Sequence, residues 1–257
     1  MSGIDTRVRL SKVIIFVLPI IIVLICLYIK FSNYEAYRSM VREDALVENL
    51  TCVASLLASV FALSVAGRFF RGNRRVHGWL YVLAFLFFFF VGMEEISWGQ
   101  RIFHTKTPEY MVEHNSQSEI NIHNIRSIHF LISGSYYLVG LAGTFSWILL
   151  RLPWLKSLKR QARYFIPEWY LSLYFFFSFF IAFFLARVEN LGRFGFFNWR
   201  DIEPAEMLMS FGFCLFTMAA KYRQLNEVQV VQFPVEESAY VETVAGFGAQ
   251  QREIMGR

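Results

Sequence analysis

The chain has 257 residues, 56% of them hydrophobic and only 18% charged, with a mean hydropathy of +0.41. A soluble fold of this length needs more polar surface to cover its core, so the balance excludes that class and points to an all-α, polytopic membrane protein. The net charge of +5 would suggest nucleic acid in a soluble chain, but here the basic residues separate apolar segments, where they orient a membrane protein, and no nucleic-acid partner is expected.

The first apolar stretch, Val13 to Ile29, follows Arg7, Arg9 and Lys12. Such flanks also precede signal peptides, but the stretch is long for one and has no small-residue cleavage site. It is expected to be an uncleaved first helix, bent near Pro19. Five more segments follow: Leu50 to Gly67, Trp79 to Ser97 with its run Phe87 to Phe90, Ile128 to Leu150, Trp169 to Val188, and Ala205 to Ala220. Crossing a hydrocarbon core takes about 20 helical residues at 1.5 Å each, so six spans are predicted, the shorter ones recruiting flanking residues.

Positive charge orients the set. Arg7, Arg9 and Lys12 precede span one, and Arg68, Arg71, Arg74 and Arg75 separate spans two and three. Arg151, Lys156, Lys159, Arg160 and Arg163 separate spans four and five, and Lys221 and Arg223 follow span six. The positive-inside rule places these segments, and both termini, on the cytoplasmic side of the cell membrane. Residues 1–222 then form the transmembrane bundle. Residues 223–257 form a cytoplasmic tail that is expected to be mobile, with a short strand or a partner-binding segment at the β-like run from Val228 to Val235 as the alternative. The six tryptophans, Trp79, Trp98, Trp147, Trp154, Trp169 and Trp199, fall near span ends, where an indole meets both hydrocarbon and water. Cys26, Cys52 and Cys214 lie in or beside apolar stretches without zinc-ligand spacing and read as small buried side chains.

Polarity converges at the external end. Glu94 and Glu95 close span three and lead through Ser97, Trp98, Gln100 and Arg101, past His104 and His114, to the stretch Gln117 to Asn124 and to His129. Glu189, Asn190, Glu203 and Glu206 arrive on the same side. A buried carboxylate needs a partner, and Arg101, Arg126 and Arg187 are the candidate counter-charges.

Three functions fit this cluster. A structural or accessory subunit of a membrane complex would use it as a polar cap joining helices or a partner subunit, with its Phe-rich spans packed on lipid or protein. A metal-dependent hydrolase of a lipid or lipid-linked substrate would hold zinc, iron or manganese through Glu119, His123, His129 and Glu189. Glu94, Glu95 and His123 would then be catalytic, with Glu94 or Glu95 as the base and Arg101 or Arg187 stabilising substrate charge. Glu119 and His123, four residues apart, would share a face if helical, although neither HExxH nor the Glu-x-x-His spacing of di-iron bundles is present. Ser97 offers a hydroxyl without a nucleophile elbow. The third function is binding or transport of a small polar solute; transport would need a polar route, and spans two and four supply few ionisable residues for one. The basic runs at Arg71 to Arg75 and Lys156 to Arg163 face lipid headgroups and chiefly set orientation.

Overall fold

The computed structural model describes residues 2–125, 127–153, 159–188 and 199–232, and among these every regular element is helical. The helices are α1 (Ser2–Ser32), α2 (Tyr34–Met40), α3 (Leu46–Arg71), α4 (Arg75–Glu95), α5 (Glu109–His114), α6 (His129–Phe145), α7 (Lys159–Ala162), α8 (Ser172–Val188) and α9 (Ile202–Gln232).

Four are long and apolar enough to cross a membrane: Val8–Ser32 within α1, all of α3 and α4, and Ile202–Glu227 within α9. Pro19 lies inside α1, which remains one helix. The other two expected spans are shorter helices. α6 has 17 residues and continues as 3-10 turns over Ser146–Arg151; α8 has 17 and is preceded by a 3-10 turn at Trp169–Leu171. Neither α-helix alone reaches the roughly 20 residues a full crossing takes.

At the other end of the chain, α9 runs past the expected stop at Ala220 to Gln232, so residues 228–232 are helical and not the start of a strand. Gln224 Nε2 donates to the Val65 carbonyl (3.3 Å) and Arg223 pairs with Glu168 (3.1 Å). These contacts tether the extension, and a helix already under way adds residues more easily than β-propensity can oppose. The rest of the tail, 233–257, lies outside the described residues.

α3 is the central helix, with α4 on one side and α9 on the other. Its buried stripe of Ala54, Ala58, Ala62, Val65 and Ala66 lets neighbouring backbones approach closely, and Phe69, Tyr81, Phe88 and Tyr164 fill the layer around it. Beyond α9 come α8 and then α6. Gly140 and Gly143 of α6 accept Phe179 and Phe175 of α8, where an added Cβ would overlap each phenylalanine. Ile14, Leu24 and Ile25 of α1, and Leu83, Leu86 and Phe87 of α4, stay exposed, as a surface matched to hydrocarbon requires.

One end of the bundle is stapled by a buried triad. Lys30 Nζ lies 2.6 Å from Asp201 Oδ2, and the Tyr37 hydroxyl donates to Asp201 Oδ1 at 2.6 Å. Burial, together with the Asp201 carboxylate, pushes the Tyr37 phenol above its usual pKa, keeping it a donor. Removing that donor takes one charge-assisted hydrogen bond from a buried carboxylate. Tyr37→Phe is therefore expected to lower stability by about 1.5–3 kcal/mol. Unfolding in detergent checks this, and an unchanged midpoint would show that the triad does not staple the bundle.

Candidate functional site

The segment after α4 takes an unusual path. Ser97, Trp98 and Gly99 have φ of 46°, 56° and 75°, three successive residues in left-handed backbone. Glycine adopts this freely, whereas each of the other two costs about 1–2 kcal/mol. Side-chain bonds offset the strain. Ser97 Oγ donates to Glu119 Oε2 (2.5 Å), and Trp98 Nε1 donates to Glu94 Oε1 (2.6 Å). Next in line, Gln100 Oε1 accepts from the Ile120 N–H (2.7 Å) while its amide donates to Thr107 (2.7 Å).

The polar stretch beyond α5 is irregular, so Glu119 and His123 do not share a helical face. Asn115 and Asn121, both fully buried, organise it. Asn115 Nδ2 donates to the backbone and side-chain oxygens of Asn121 (2.8 and 2.7 Å), and its Oδ1 accepts from the Gln117 N–H (2.8 Å). Asn121 in turn donates to Ser97 Oγ and Glu119 Oε2, each at 3.1 Å. Arg101 completes the Glu119 pairing and also meets Asp44. The product is a closed cap fastening residues 96–125 onto the end of α4.

Glu94 is the cap's anchor. Besides Trp98, it accepts the backbone N–H groups of Ile122 (2.5 Å) and His123 (2.9 Å) on Oε2. The His123 ring Nδ1 sits 3.4 Å from the same oxygen, at ion-pairing distance but without hydrogen-bond alignment. Burial disfavours the imidazolium, yet the adjacent Glu94, with Glu206 and Glu48 further off, outweighs it and raises the His123 pKa above its ordinary 6.5. The imidazolium's stabilisation is thus fully present below about pH 6.5 and fades as pH rises through the raised value. His123→Gln should melt well below the parent protein under mildly acidic conditions, and the gap should narrow toward alkaline pH. A gap independent of pH would refute the pairing.

Glu95, next in sequence, has the opposite environment. It is 8% exposed, and among the described residues no group donates a hydrogen bond to its carboxylate and no cation pairs with it. Gly92, one turn earlier, sits against α3, where an added Cβ would lie 3.3 Å from the Cys52 carbonyl. The antiparallel packing brings Glu95 level with Glu48, four residues before Cys52. On the other side Ser55 of α3 bonds Ser210 of α9 (3.2 Å), and Glu206, one turn before Ser210, accepts from the Tyr136 hydroxyl (2.6 Å). Glu95 consequently lies within electrostatic reach of Glu206, Glu203, Glu48 and Glu94. Arg200 approaches Glu203, and His123 approaches Glu48 from the cap. Beneath the Ser55–Ser210 bond the interior turns apolar at Ala58 and Ala62, so this acidic cluster has an apolar floor.

Of the residues expected at the site, Glu94, Glu95, Arg101, Glu119 and His123 are brought to this end, with Arg101 serving Glu119 and Asp44. Arg126, Glu189 and the side chains of His129 and Arg187 lie outside the described residues. Among the described residues, no three His, Cys, Asp or Glu side chains are arranged to hold a metal ion. The sequence reading missed Glu48, Tyr136 and Asn115. Glu48 left one trace, being the last acidic residue before Glu94.

Fold and site together are consistent with a class, the helical membrane protein with a polar cap closing one end of its bundle. No family model, no curated protein and no solved structure matches the chain.

Proposed function

We propose that the chain crosses the cell membrane six times, with both termini cytoplasmic, and binds a small cationic solute in an extracytoplasmic acidic chamber formed by the Glu95 cluster. The solute carries a primary ammonium group. α6 with its 3-10 continuation, and α8 with its preceding turn, supply the two shorter crossings. The observation that carries the reading is Glu95, a buried carboxylate without a partner among the described residues, with Glu48, Glu203 and Glu206 around it. Carboxylates in a membrane interior persist when a positive charge joins them. An ammonium has three donors and needs only hydrogen-bond distances, whereas a metal requires ligands converging to about 2.0–2.6 Å. The apolar floor favours binding from one side over transport through the bundle.

The cap supports a second reading, a structural or accessory subunit of a membrane complex, because its carboxylates Glu94 and Glu119 are engaged internally. The same bonds weigh against a hydrolase with Glu94 as base and Ser97 as nucleophile. The test is a melting series on the purified full-length protein with methylammonium, sodium, zinc and neutral methanol. Methylammonium alone is expected to stabilise, by about 2.7 kcal/mol at a hundredfold excess over Kd. A shift with zinc alone would restore the metal reading. No shift with any cation would mean that the chamber takes no cation from solution, and would overturn the proposal.

A further inference from the structure

At the end of α3 remote from the acidic chamber, a groove of about 450 Å3 runs along the outer face, lined by Val60, Leu63, Ser64, Gly67, Arg68 and Arg71. These positions form one stripe at helical spacing, about 16 Å long at 1.5 Å per residue. The opposite stripe, with Ala58, Ala62, Val65, Ala66 and Phe69, is packed in the core, so the groove faces outward. Its upper wall is apolar and bare, Val60 and Leu63 being 58% and 48% exposed. Gly67 forms its notch, since a Cβ there would meet nothing within 4 Å.

The groove ends in two cations, Arg68 and Arg71, neither of which pairs with a carboxylate among the described residues. No acidic residue occurs between Glu48 and Glu94 to supply one locally. An apolar channel ending in two guanidinium groups that pair with no carboxylate among the described residues matches one occupant, a phospholipid with a net negative headgroup.

We infer that this groove is a discrete site for an anionic phospholipid. One acyl chain lies along Val60, Leu63 and the Gly67 notch, and Arg68 and Arg71 hold the headgroup. The guanidinium fork suits phosphate oxygens, and the side chains need only extend along the helix axis to reach the headgroup layer. A discrete site differs from general attraction to a charged surface, because it depends on the shape at Gly67 as well as on charge.

Native mass spectrometry of the detergent-solubilised full-length protein, offered phosphatidylglycerol and phosphatidylcholine at equal concentration, tests this. Two arginines near the headgroup should favour the anionic lipid roughly thirtyfold. Arg68→Gln with Arg71→Gln should abolish the preference. Gly67→Leu, which blocks the notch and leaves both arginines, should weaken retention of both lipids several-fold without changing the melting point of the lipid-free protein. Arg75→Gln, outside the groove, should change nothing. The inference is overturned if the two lipids are retained equally, if Arg75→Gln is as damaging as the double variant, or if inorganic phosphate displaces the lipid.

Discussion

Glu94→Ala is expected to destabilise the bundle by about 3–5 kcal/mol, the range for removing one partner from a buried charged network. The substitution leaves Trp98 Nε1 and the N–H groups of Ile122 and His123 without their acceptor, and His123 without its counter-charge. It also releases the bond that offsets the left-handed backbone at Trp98. Glu94→Gln keeps one oxygen and should lose about half as much, because its amide nitrogen must face a donor wherever it turns. Chemical unfolding in detergent, followed by tryptophan fluorescence, reads both variants. Equal stability of Glu94→Ala and the parent would show that the cap does not hold the loop.

Glu95→Gln is expected to behave in the opposite way. Among the described residues no donor loses an acceptor here, and one member of a crowded group of buried carboxyls becomes a neutral amide, so the variant should unfold at the same denaturant concentration as the parent or a higher one. Binding of an ammonium solute should weaken roughly a hundredfold, as expected for losing a charged hydrogen-bond partner of about 2–3 kcal/mol. Those two results together would assign adjacent glutamates a structural and a binding role. That contrast is stronger than either result alone, since a general folding defect cannot produce it.

Much of the bundle can be read directly from the chain, because a long apolar run has few alternatives to a buried or membrane helix. α1, α3 and α4 fall where hydropathy puts them. The end of α9 departs from the strand expected there because Val228, Val230 and Val231 favour strands locally, while the contacts that extend the helix come from Val65 and Glu168, far away in sequence. At the site, the clustering of Glu94, Glu95, Glu119 and His123 was foreseeable from topology. Their division of labour was not. Whether a carboxylate is engaged or unpartnered depends on where backbone N–H groups such as those of Ile122 and His123 point, and that follows from an irregular loop without periodicity. Lys30 was equally opaque: at the end of an apolar helix it looks like an interfacial anchor, and only the return of the chain at Asp201 makes it a buried ion pair.

The measurement that bears most directly on the chamber is a calorimetric titration of methylammonium into the parent protein and Glu95→Gln at one pH and in one detergent. Saturable binding to the parent is expected, with a roughly hundredfold loss in the variant and no loss in Glu109→Gln, which removes an exposed acid on α5. Undiminished binding to Glu95→Gln would contradict this expectation.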